Sequence, residues 1–132
     1  MKNKALTVAL AAALSGCSAS PLDELQTNLK ALGRAIFASK GQAALRDALQ
    51  QYEDGHYAAA EASLKKALDH GLERSEQVIA HKHLAFIQCA TERLKECRAQ
   101  FRLALRADPR TDLDTAEAGH PGWGPVFRSL PR

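Results

Sequence analysis

Leu22, Leu25, Leu29, Leu32 and Ile36 recur at alternating steps of three and four, the spacing of one apolar helical stripe. Asp23, Glu24, Lys30 and Arg34 fall off that stripe, so the pattern predicts an amphipathic helix over 22–40. Ser39-Lys40-Gly41 reads as its end, because small and flexible residues interrupt helices. A second helix is expected over 42–54, with Leu45, Ala48, Leu49 and Tyr52 on its buried side, and Asp54-Gly55-His56 as a turn. A third over 57–70 carries Ala60, Leu64, Ala67 and Leu68, and Gly71 can cap it. Glu73-Arg74-Ser75 leads to a fourth helix over 76–90. A turn follows, then a fifth helix over 95–107 with Cys97, Phe101, Ala104 and Leu105, stopped by Asp108-Pro109.

The helices repeat. A shift of 37 residues lays Tyr57 on Leu94, Ala60 on Cys97, Leu64 on Phe101 and Ala67-Leu68 on Ala104-Leu105. Small residues let helices approach and large ones fill the gap to the next. This resembles the tetratricopeptide repeat, whose pattern holds A-x3-F followed by a proline. Gly55 and Tyr57 match its turn glycine and following aromatic, while Cys97, Phe101, Ala104 and Pro109 match its second helix and stop. The period exceeds the usual value of about 34, and the extra residues fit the connection from Gly71 to Ser75. The first helix of each repeat matches less well: His81 and Gln88 stand where aromatics are usual. The fold expected is all-α, with two tetratricopeptide-like helical hairpins over 41–109.

After Pro109 the composition changes. The stretch 110–117 is polar and acidic, and 119–127 is dense in glycine and proline yet carries Trp123, Val126 and Phe127. Segment 110–132 is expected to fold back as an irregular cap, because a repeat array needs a terminal unit over its open core. Trp123 and Phe127 would lie in that cap, and Pro125 can start a short helix. The alternative is that both aromatics form a partner-binding patch.

Before the helices, Lys2 and Lys4 precede an apolar run of about ten residues, which has the length of a signal-peptide core and is too short to span a bilayer. Leu14-Ser15-Gly16-Cys17 ends it and resembles the lipobox of bacterial lipoproteins. The resemblance implies removal of 1–16, acylation of Cys17 (including palmitate-type chains) and a tether over 17–21. Ser18 in place of aspartate implies sorting to the outer membrane, facing the periplasm. The formal charge of +3 falls to about +1 without Lys2 and Lys4, so no electrostatic case exists for a nucleic-acid partner.

Two cysteines remain, Cys89 and Cys97. In an oxidising compartment they can bridge across a tight helical hairpin, or stay as small buried residues. His81 and His83 are two apart on a helix and do not share a face, so no metal site is expected. Asp112, Asp114 and Glu117 lie in an exposed-looking stretch with nothing to raise a carboxylate pKa. With no nucleophile motif either, no enzyme activity, cofactor or small-molecule substrate is expected. Lys95, Arg98, Arg102 and Arg106 form a basic stripe on the fifth helix, either solvated or a docking face for an acidic partner or lipid headgroups.

His81-Lys82-His83-Leu84-Ala85-Phe86-Ile87, Cys89, Cys97-Arg98, Phe101, Asp108-Pro109, Ala116 to Pro121 and Trp123 to Phe127 together resemble a family of small proteobacterial tetratricopeptide lipoproteins associated with type VI secretion loci. The resemblance implies an anchored protein–protein interaction module, with secretion-system subunits as partners. A pilotin-like or outer-membrane assembly lipoprotein is the alternative. A tetratricopeptide groove is lined by the first helix of each pair, which makes Lys82, His83 and Phe86 the groove candidates.

Overall fold

The computed structural model describes residues 20–131. The leader over 1–16 and the lipidation candidate Cys17 lie outside the described residues. The described residues form six helices in order: α1 (Pro21–Glu53), α2 (Tyr57–His70), α3 (Arg74–Ala90), α4 (Leu94–Ala107), α5 (Thr115–Gly119) and α6 (Gly124–Arg128). The described residues form no strand. The pairs α1–α2 and α3–α4 pack as antiparallel hairpins, and α3 lies against α2. The fold is therefore all-α, with two tetratricopeptide-like helix pairs.

The start of α1 follows from its residues. Ser20 is the N-cap, its Oγ accepting the Asp23 backbone N–H at 3.3 Å, and Pro21 occupies the first turn where no N–H is needed. Asp23 and Glu24 sit at the positive end of the helix dipole. Pro21 thus belongs to the helix, and the expected tether ends one residue earlier.

The expected break at Ser39-Lys40-Gly41 does not occur. α1 runs unbroken for 33 residues, so the N-terminal helix and the first helix of the hairpin are one element. Gly41 is buried, and a Cβ built on it would stand 2.1 Å from the Gly71 carbonyl oxygen and 3.1 Å from that of Ala67. The glycine is there for close approach of α1 to the end of α2, not for flexibility.

Two cores result. In the first, Ala44, Leu45 and Ala48 of α1 meet Ala60, Leu64 and Ala67 of α2 and Ala80, Leu84 and Ile87 of α3. In the second, Ala85, Phe86 and Cys89 of α3 meet Cys97 and Phe101 of α4, with Leu113, Phe127 and Leu130 closing the end. α3 feeds both cores, which is why Leu84 to Cys89 are buried without interruption. The repeat register is visible in the packing: Ala60, Leu64 and Ala67 and their equivalents Cys97, Phe101 and Ala104 are all fully buried.

The two hairpin turns also correspond. Gly55, at φ +78°, is matched 37 residues on by Glu92 at φ +61°. Left-handed backbone suits glycine and strains a residue with a Cβ. The second turn keeps the geometry without the glycine. The hairpins are clamped together where Arg93 donates to Glu61 through both terminal nitrogens, Nη1 and Nη2, at 3.0 and 2.6 Å. That hydrogen bonding, aided by Lys65, lowers the Glu61 carboxyl pKa to about 2 against the opposing cost of burial.

Candidate interaction surface

Cys89 and Cys97 are joined as a disulfide across the α3–α4 turn, with Cα atoms 5.2 Å apart. The bridge ties the last turn of α3 to the first turn of α4.

An aromatic ladder crosses α3. Tyr57 meets Tyr52 edge-on at 5.4 Å, and Tyr52 meets the His83 ring at 4.9 Å. His83 meets Phe86 at 5.6 Å, and Phe86 stacks on Trp123 at 4.6 Å. The His120 ring covers the far side of Trp123. Such edge and offset contacts stabilise beyond their buried area. The ladder joins α1, α2 and α3 to the C-terminal segment.

The groove candidates divide along this ladder. Lys82 Nζ donates to Glu117 Oε2 at 2.6 Å, and both side chains are largely covered. Phe86 is buried under Trp123. The chain's own C-terminal segment thus occupies this end of the α3 face. His83 lies at the boundary, its Nδ1–H donating to the Ile79 carbonyl at 2.8 Å. Burial lowers its pKa, outweighing that hydrogen bond. Burial likewise raises the Tyr52 phenol pKa. Tyr57 is 49% exposed and forms the open end of the ladder. Along the ladder, exposed Tyr57 and the partly exposed Tyr52 and His83 lie beyond the part covered by the C-terminal segment, toward the first hairpin.

Glu117 departs from its expected setting. Asp114 caps α5, its Oδ1 accepting the Glu117 N–H at 2.8 Å, while Glu117 Oε2 accepts the Asp114 N–H at 2.9 Å. This reciprocal capping box builds a short helix where a loose acidic stretch is expected. The D-x-x-E spacing was the available signal. Gly124 then packs on α5, where an added Cβ would meet the Ala118 carbonyl oxygen at 2.3 Å. Pro125 stands in the first turn of α6, and Phe127 is buried against Phe101 at 5.1 Å between ring centres.

The basic residues Lys95, Arg98, Arg102 and Arg106 are all exposed, opposite the buried Cys97–Phe101–Ala104 face of α4. None of the four forms a salt bridge among the described residues. His81 and His83 diverge, His81 reaching Gln100 at 2.7 Å. No group of three or more His, Cys, Asp or Glu side chains is arranged to hold a metal among the described residues. No described helix is long and apolar enough to cross a membrane.

These features define an all-helical repeat protein with a self-packed C-terminal cap and an open aromatic edge. The chain matches no family model, no curated protein and no solved structure.

Proposed function

We propose that this protein is a membrane-anchored protein–protein interaction module, and specifically an accessory lipoprotein of a type VI secretion system. The observation that carries the module reading is the aromatic edge of Tyr57, Tyr52 and His83, left open beside two helix pairs braced by the Glu61–Arg93 clamp. A rigid helical scaffold presenting half-buried aromatics suits a segment of another protein, because aromatic anchors contribute much binding energy at small entropic cost. The anchor is supported by Leu14-Ser15-Gly16-Cys17 after a short apolar run, and the secretion context by the resemblance of the His81 to Phe127 stretch. Anchoring raises the effective concentration of a weak binding surface at a membrane.

Crosslinking in intact cells followed by affinity purification tests the reading, beside a Cys17→Ser control. Secretion-complex subunits captured by the native chain and lost in the control support it. Capture of outer-membrane channel or barrel proteins instead replaces it with an assembly role. A Tyr52→Ala, Tyr57→Ala chain that captures the same partners undiminished removes the aromatic edge from the argument.

A further inference from the structure

Leu22, Leu25, Leu29, Leu32 and Ile36 are each about half exposed or more, from 47 to 69%. They lie on the part of α1 that precedes the first core, and no described residue covers them. At about 100° per residue the five fall within an arc of about 80°. Gly41, Ala44, Leu45 and Ala48, which face α2, centre about 130° away around the same helix. The stripe is therefore not an extension of the face that binds the body, and no described part of the fold is placed to cover it.

The character of the stripe selects its occupant. Its 3-4-3-4 steps are those of heptad positions a and d, the narrow seam by which one helix meets another. The flanking positions e and g hold Gln26, Asn28, Gly33 and Ala35, all uncharged and two of them small. Nothing there repels an identical seam, and Gly33 has open space around it that a neighbouring helix can use. A helix lying on anionic lipid instead carries a broad apolar face and an excess of Lys and Arg. Here Asp23 and Glu24 balance Lys30 and Arg34.

We propose that the stripe is a self-association seam, occupied by the same stripe of a second copy. With under three heptads and no e/g ion pairs, the pairing is weak in dilute solution and gains from confinement of the copies.

The test uses the full chain in bacterial cells, expressed as two differently tagged copies. The photo-crosslinking residue p-benzoylphenylalanine replaces Leu25, Leu29 or Leu32 in one series. In the other it replaces Thr27, Lys30 or Arg34 on the opposite face. The seam predicts adducts carrying both tags, at several-fold higher yield from the first series. A Leu29→Glu, Leu32→Glu chain with the probe at residue 25 loses the adduct while its protease-resistant body and Cys89–Cys97 bridge persist. Equal yields from both faces overturn the proposal. So do adducts with acyl chains or with another protein in place of the second tag, or an adduct that survives the double substitution.

Discussion

Gly41→Ala decides between two readings of one residue. Gly41 sits inside a continuous helix, where alanine in place of glycine ordinarily stabilises by about 1 kcal/mol. If the glycine merely marked a flexible joint, the substitution would raise stability by that amount. The geometry gives the opposite sign. The new Cβ stands 2.1 Å from the Gly71 carbonyl oxygen, where ordinary contact begins at 3.4 Å, so α1 and the end of α2 must part by roughly 1.3 Å. The obstruction is backbone and cannot rotate aside. Forcing methyl-sized volume into a packed contact costs about 1–3 kcal/mol, and a contact this short against rigid backbone falls in the upper part of that range, at about 2–3 kcal/mol. Set against the propensity gain, the net loss is about 1–2 kcal/mol, or a melting temperature lower by roughly 4–8 °C for a chain of this size. Urea unfolding followed by far-ultraviolet circular dichroism measures it, with Gly33→Ala as the internal control. Gly33 has nothing within 4 Å, so its alanine variant is at least as stable as the parent. A Gly41→Ala protein equal to or more stable than the parent refutes the close-approach argument.

Three further outcomes follow from the same contacts. Glu61→Gln removes the bidentate charge-assisted pair with Arg93 and costs about 1 kcal/mol at neutral pH. Because folding lowers the Glu61 pKa from 4.5 to about 2, the stability it adds is present above pH 4.5 and is lost as pH falls toward 2, so urea midpoints across that window flatten in the variant. Replacing Cys89 and Cys97 together by serine opens a short loop and lowers stability by about 2.5 kcal/mol on the chain-entropy account, read as the difference in midpoint between oxidised parent and variant. Glu92→Gly relieves the left-handed strain of the second hairpin turn and raises stability by up to about 1 kcal/mol; a loss on denaturant titration would show that the Glu92 side chain has a role the turn geometry does not reveal.

Helices were legible wherever a period persisted. α2 spans the 57–70 expected from Ala60, Leu64 and Ala67, and the 37-residue shift correctly pairs residues of equal burial, because both depend on local spacing. The Gly41 joint was misread because a helix break and a close approach call for the same residue. The partner that distinguishes them, the Gly71 carbonyl, lies 30 residues away in sequence. The C-terminal segment illustrates a second limit. Its Gly and Pro content announces irregular chain, but the stacking of Trp123 on Phe86 and the pairing of Glu117 with Lys82 are tertiary choices with no periodic signature. Cys89 and Cys97 left bridge and buried thiols equally open, since eight residues around a turn permit both.

The continuity of α1 makes length and orientation separable quantities. From Pro21 to Gly41 the helix rises about 30 Å, with no joint at which the body can swivel independently. Whatever holds the Ser20 end therefore sets both the stand-off and the compass heading of the two hairpins. Each residue deleted from 22–36 shortens the rod by about 1.5 Å and turns the body by about 100°. Removing seven shortens it by about 10 Å while returning the heading to within about 20° of its start. A partner that reads distance and one that reads direction would thus answer differently to the same short series of deletions.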